Sequence, residues 1–175
     1  MSTPASSSAA LPIAHVVLRI LIVMNWLTAV MILVLLLIAP NERWIMSSLD
    51  LTPSPEAARL VMGLRAIAVI GLLAIPLHYA VLKRLLAIVE TVRAGDPFVD
   101  VNASRLQAIG WVLFTLQLLS LVIGAIVRAI AIPGKPLDID AGFSVNGWLA
   151  VLLTFLLARV FAEGTRMRDD LQGTV

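Results

Sequence analysis

Hydrophobic residues are concentrated in four long runs along the chain, and prolines, glycines or charged residues bound each run. A helix needs about 20 predominantly apolar residues to cross the roughly 30 Å hydrocarbon core of a bilayer. None of the runs has the polar face that a helix in water would require. The pattern therefore predicts four transmembrane helices, at about residues 13–39, 57–82, 106–132 and 143–162.

The polar segments between the runs carry patterns of their own. The connection 83–105 begins with apolar residues at helical spacing and with charges between them, which indicates an amphipathic extension of the second span. A glycine followed by the Asp96-Pro97 pair is expected to end this extension. Asn102 is expected to cap the next helix. Residues 163–175 form a charged tail after the fourth span.

The distribution of basic residues predicts the orientation. Seven lysines and arginines flank the connection 83–105 and the end of the fourth span, whereas three lie in the other two loops. The positive-inside rule then places the connection and both termini in the cytoplasm. The predicted fold is all-α, a single integral membrane domain of residues 1–175 with four transmembrane helices in an antiparallel bundle.

The composition agrees with this fold and narrows the function. The chain is 60% hydrophobic and 14% charged, with a mean hydropathy of +0.99, which is far outside the range of soluble domains. It has no cysteine for thiolate metal sites, and no basic stripe for direct nucleic-acid binding. Phosphate-loop and hydrolase motifs are also missing from the sequence, so we expect neither enzyme activity nor a cofactor. His15 and His78 are interpreted as interfacial anchors.

Several short motifs lie between the predicted spans and at their ends: Gly95 to Val99 (GDPFV), Asn102, Arg105-Leu106, Ile109 to Trp111, and the ending FAEGTRMRDDLQGTV. Together they resemble the bacterial DUF2975 family of small membrane proteins. The resemblance implies a four-helix protein of the bacterial inner membrane without an established biochemical activity, and it carries over no catalytic residues. Members are often encoded beside a small helix-turn-helix transcription regulator, which implies such a regulator as a cytoplasmic partner.

The GDPF segment is the first candidate for a partner-binding site. In a docking loop, Phe98 would be the apolar anchor and Asp96 a polar contact, with Pro97 between them. A purely structural interpretation stays open, in which Gly95 caps the preceding helix, Pro97 stops it and Phe98 packs beneath the loop.

The charged tail is the second candidate. It is expected to extend the fourth span as a helix that lies on the helix of residues 83–94 and presents its charges, or the terminal carboxylate, to a partner. The alternative is a frayed, solvated terminus. The candidate residues are Glu163, Arg166, Arg168, Asp169 and Val175.

Polar residues inside the spans form a third group: Asn25, Arg65, Gln117 and Arg128. A charge at mid-depth is costly, so Arg65 is expected to face other helices and pair with a carboxylate; an anion site is the alternative. The outer loops offer Asp50, Asp138 and Asp140. Arg128 can extend to the headgroups, and the two amides are expected to form interhelical hydrogen bonds.

These observations leave three functions open. The first is an accessory or regulatory membrane protein that binds a cytoplasmic partner, because the specific motifs concentrate on that side. The second is a small transporter or channel subunit with Arg65, Asn25 and Gln117 along a polar path, against which stands the lack of an acidic residue in the spans. The third is a structural envelope protein without a ligand. Small residues such as Ser120 and Gly124 suit close helix packing within one chain or in a homo-oligomer.

Overall fold

The computed structural model describes residues 7–38, 42–48, 52–131 and 141–172, of which 90% are helical and none is in a strand. The helices are α1 (Ser7–Ile38), α2 (Glu42–Ser48), α3 (Pro55–Arg93), α4 (Asp100–Ile130) and α5 (Val145–Gln172). Four of them, α1, α3, α4 and α5, are long and apolar enough to cross a membrane. The predicted all-α class with four long apolar helices is therefore confirmed.

Helix α3 is longer than a bilayer crossing requires. Its 39 residues form one helix, which at about 1.5 Å per residue is about 58 Å long. Ser54 caps its start, because the Ser54 hydroxyl accepts a hydrogen bond of 3.1 Å from the amide of Ala57. At its end, Gly95 adopts a φ of 87°, and the amides of Gly95 and Asp96 donate to the carbonyls of Val92 and Thr91. This is a Schellman motif, which the glycine makes accessible.

The helices approach one another in chain order. α3 packs against α1 on one side and α4 on the other, and α5 packs against α4. Within the described ranges, no close backbone approach joins α1 to α4 or α5, or α3 to α5. The four long helices therefore form an open row instead of a closed bundle. The short helix α2 packs on the start of α3, where Met46 contacts the cluster of Ala57 and Val61.

Small residues set the closest approaches between helices. A Cβ atom on Gly63 of α3 would lie 2.5 Å from a side-chain carbon of Ile130 of α4. The missing Cβ therefore allows these two helices to pack closely at this point. A Cβ on Gly124 would lie 2.5 Å from the Cα of Gly142. Ser120 and Gly142 also exchange two hydrogen bonds of 3.1 and 3.2 Å. Ser120 and Gly124 thus serve packing inside one chain, one of the two roles that their spacing predicted.

The outer surface of α1 is almost entirely apolar. Leu27, Met31 and Leu37 are 63%, 65% and 68% exposed, and no residue in the most hydrophobic stretch of this helix is buried. A soluble monomer rarely exposes so continuous an apolar surface. Lipid tails cover such a surface without cost, which agrees with a multi-pass membrane protein.

Candidate functional site

Parts of three helices meet around the loop 95–99. We call this cluster the loop–tail junction; it consists of Thr91, Asp96, Pro97, Phe98, Asn102, Arg105, Phe161, Gly164, Thr165 and Arg168. It joins the end of α3, the start of α4 and the last part of α5. It contains the GDPF segment and part of the tail, the two motif regions that the sequence marked as candidates for partner binding.

Asn102 lies at the centre of the junction and is fully buried. Its amide nitrogen donates to the Thr91 hydroxyl at 2.7 Å and to the Pro97 carbonyl at 2.9 Å. Its amide oxygen accepts a hydrogen bond of 2.9 Å from Arg105. The predicted capping role of Asn102 is wrong, because α4 begins at Asp100. The side chain instead turns back, so that its amide nitrogen bonds to α3 and the loop while its oxygen bonds to Arg105 of α4.

Arg105 of α4 forms a hydrogen bond to the last turns of α3. Besides Asn102, its guanidinium donates to the backbone carbonyl of Ala87 at 3.2 Å. One cation thus holds both the central amide and the neighbouring helix. A guanidinium with its fixed fork of donors suits this double role better than an ammonium would.

The tail reaches the loop through Arg168. Its guanidinium forms an ion pair with Asp96 and donates a hydrogen bond of 3.1 Å to the carbonyl of Phe98. The two charged side chains are 42% and 40% exposed. At that exposure, we expect the ion pair to contribute up to about 1 kcal/mol.

Phe98 packs against α5 by its ring. The ring centroids of Phe98 and Phe161 are 5.4 Å apart. Gly164 lies directly beneath the Phe98 ring, since a Cβ there would approach ring atoms to 2.9 Å. The neighbouring Thr165 is buried and bonds to its own helix. The packing of Phe98 agrees with the structural interpretation of the GDPF segment, although 41% of the side chain stays exposed.

The other tail residues point outward from the junction. A guanidinium nitrogen of Arg166 lies 3.9 Å from a carboxylate oxygen of Glu163, and the two side chains are 77% and 57% exposed. Asp169 is exposed as well, and Val175 lies outside the described residues. The tail extends α5 as a helix, as expected up to Gln172. The expected contact with residues 83–94 is wrong, because within the described parts of the chain α5 packs against α4 and reaches the loop that follows α3 instead of α3 itself.

Two of the predicted intramembrane polar residues, Asn25 and Gln117, line one groove between α1, α3 and α4, with a volume of about 470 Å³. Asn25 makes the expected interhelical hydrogen bond, from its amide nitrogen to the carbonyl of Ile75 at 3.2 Å. The Gln117 side chain packs against Gly147 of α5, and its amide oxygen is buried without a hydrogen bond to the described residues. His78 lines the same groove.

The two arginines of that group lie elsewhere. Arg65 is half-buried in α3, and the expected carboxylate partners, Asp50, Asp138 and Asp140, lie outside the described residues. Arg128 is exposed in the last turn of α4. Within the described ranges, no group of three or more histidine or acidic side chains is placed to hold a metal ion.

Comparison with known proteins gives no relative: no protein-family model, curated protein or solved structure matches this chain. The resemblance to the DUF2975 family therefore stays a prediction. It rests on the same segments, the GDPF loop and the tail, that meet in the loop–tail junction.

Proposed function

We propose that this chain is an accessory or regulatory membrane protein that binds a protein partner at the end carrying the loop–tail junction. The observation that carries the proposal is the attachment of the tail to the loop through Arg168, which bonds both Asp96 and the Phe98 carbonyl. A fixed surface loses less conformational entropy on binding than two separate flexible segments would. The junction therefore supports a preformed platform.

The exposed residues around the junction have the character of a binding surface. Met167 is 58% exposed and Phe98 is 41% exposed, and Glu163, Arg166 and Asp169 add exposed charged side chains on the same last turns of α5 as Met167. Apolar anchors within a polar rim are the usual anatomy of a protein interface. Asp96 and Arg168 are engaged with each other, so in this proposal they shape the platform and the outward residues contact the partner.

The proposal places this end in the cytoplasm and all four helices antiparallel to their neighbours. The contacts of α1 with α3 support the antiparallel arrangement, since Asn25 meets Ile75 and the later Ile32 meets the earlier Gly71. The excess of basic residues near this end supports the orientation. The bacterial inner membrane, and a small helix-turn-helix transcription regulator as the partner, are proposed from the family resemblance alone.

Photocrosslinking in native membranes tests the proposal. A photoreactive amino acid at position 167 should capture a cytoplasmic protein, whereas the same group at the exposed position 56, at the far end of α3, should not. The orientation is tested separately. The chain has no cysteine, so single cysteines at 166 and 52 can be labelled in intact cells with an impermeant maleimide. Capture of no protein at 166, 167 and 169, or labelling of 166 from outside, would contradict the proposal.

The groove between α1, α3 and α4 favours one second candidate, a small transporter or channel subunit. It gathers Asn25, Gln117 and His78 around about 470 Å³, although Arg65 is not among its lining residues. Flux of an ion or solute into liposomes, reduced by Asn25→Ala, would support this candidate. If neither capture nor flux is found, the structural envelope role is the remaining interpretation.

A further inference from the structure

A second groove runs between the first turns of α4 and the last half of α5, close to the junction. It has a volume of about 390 Å³. Asp100, Ser104 and Gln107 line it from α4, and Phe155 and Arg159 line it from α5. Alanines of both helices form the remaining walls, which leaves room between the polar side chains.

The groove carries one negative and one positive charge that do not neutralise each other directly. Asp100 and Arg159 are both exposed, and within the described ranges neither forms a hydrogen bond or ion pair through its side chain. The Ser104 hydroxyl donates to the carbonyl of Val101 at 2.8 Å. Its oxygen therefore remains available to accept a hydrogen bond from another group.

The groove lies at the ends of the apolar runs of α4 and α5, where a transmembrane helix meets the membrane surface. Asp100 opens α4 before the apolar run that starts near residue 106, and Arg159 follows the apolar run of α5. Phe155 lies one turn of α5 closer to the apolar side than Arg159. Charged and amphipathic side chains at the ends of apolar helices lie at the depth of lipid headgroups.

We propose that this groove binds the headgroup of a zwitterionic phospholipid with a primary amine, the phosphate at Arg159 and the ammonium at Asp100. A guanidinium matches phosphate in geometry and charge. A primary ammonium offers three N–H donors, which suit the Asp100 carboxylate and the Ser104 oxygen. A quaternary amine has no N–H donor, and an anionic glycerol headgroup has no cation for Asp100. The inference does not depend on the proposed protein partner.

Competition between lipids during native mass spectrometry of the purified full chain tests this. Phosphatidylethanolamine, phosphatidylcholine and phosphatidylglycerol with identical acyl chains are added in equal amounts. We expect phosphatidylethanolamine to be retained about three- to fivefold over each of the other two, the gain that one exposed ion pair can supply. Arg159→Gln should reduce the binding of all three lipids, because each carries a phosphate. Asp100→Asn should bring phosphatidylethanolamine and phosphatidylglycerol to equal binding.

Two control variants and the choice of readout separate lipid selectivity from changes in protein stability. Arg128→Gln and Glu56→Gln remove exposed charges at the other end of the helices and should preserve the preference. The ratio of two bound lipids is measured on the same folded molecules, so a loss of stability does not imitate a loss of selectivity. Equal retention of all three lipids by the unmodified chain, a preference for phosphatidylglycerol, or a preference that survives Asp100→Asn would overturn the proposal.

Discussion

Arg168 of α5 bonds both to the Asp96 carboxylate and to the Phe98 carbonyl, across 72 and 70 residues of sequence. The same loop is bonded from the other side by Asn102 of α4, which donates to the Pro97 carbonyl. The GDPF segment is thus held between two helices. A loop fixed in this way can present the tail at a constant angle, which is the physical basis of the platform that we propose.

Separating Arg168 from Asp96 should loosen the tail without unfolding the protein. We expect Arg168→Gln or Asp96→Asn to speed proteolytic cleavage within residues 163–172. In a double-mutant cycle, we expect the two substitutions to show a coupling free energy of about 0.5–1 kcal/mol, the usual range for an exposed pair. Arg166→Gln is the matched control, because its side chain is 77% exposed and 3.9 Å from Glu163. Additive effects at 96 and 168 would contradict the attachment.

Removing the Asn102 amide should lower the free energy of unfolding by more than separating Arg168 from Asp96 does. Asn102→Ala deprives three partly buried groups of a partner at once: the Thr91 hydroxyl, the Pro97 carbonyl and the Arg105 guanidinium. We expect the free energy of unfolding to fall by about 2–3 kcal/mol, measured by reversible unfolding in mixed micelles. Asn146→Ala, at an exposed position, should change it by less than about 0.5 kcal/mol. Equal effects of the two substitutions would show that the hydrogen bonds of Asn102 contribute little to the free energy of unfolding.

The contrast between these side chains shows how far the sequence could lead. Apolar runs predict transmembrane helices because about 20 consecutive apolar residues are enough to cross the hydrocarbon core, whatever the rest of the chain does. The role of Asn102 depends on Thr91 and Arg105, which only the fold of the loop brings to it. Sequence spacing favoured capping because that role needs only neighbouring amides. Likewise, Asp96 and Arg168 were both candidates for a partner, but their pairing with each other requires the packing of α5 on α4.

Gly164 offers a test in which the sign of the effect is informative. A Gly→Ala change inside a helix normally stabilises by about 0.5–1 kcal/mol. Here the new Cβ would approach the Phe98 ring to 2.9 Å, so we expect Gly164→Ala to lower the free energy of unfolding by about 1 kcal/mol or more. With Phe98→Ala already present, the same change should become stabilising. Gly71→Ala, whose nearest neighbouring atom is 3.8 Å away, should be tolerated in either background.

The contact between α1 and α3 can be tested through Asn25. Among the described helices, α3 is the one long helix that packs against α1, and this interface includes the bond from Asn25 to the Ile75 carbonyl. We expect Asn25→Leu to lower the free energy of unfolding by about 0.6 kcal/mol, the average for such bonds in membranes.

Thr28→Val is the matched control, because Thr28 lines the same groove but its hydroxyl donates to the Met24 carbonyl of its own helix, at 3.0 Å, and to no other helix that the structure describes. That substitution should leave the contact between the helices intact. A fluorescence pair on α1 and α3 reports their separation in micelles while a competing detergent is added. Separation should occur at a lower detergent fraction for Asn25→Leu than for Thr28→Val. Coincident transitions would mean that apolar packing alone, as between Ile32 and Gly71, holds α1 in the row.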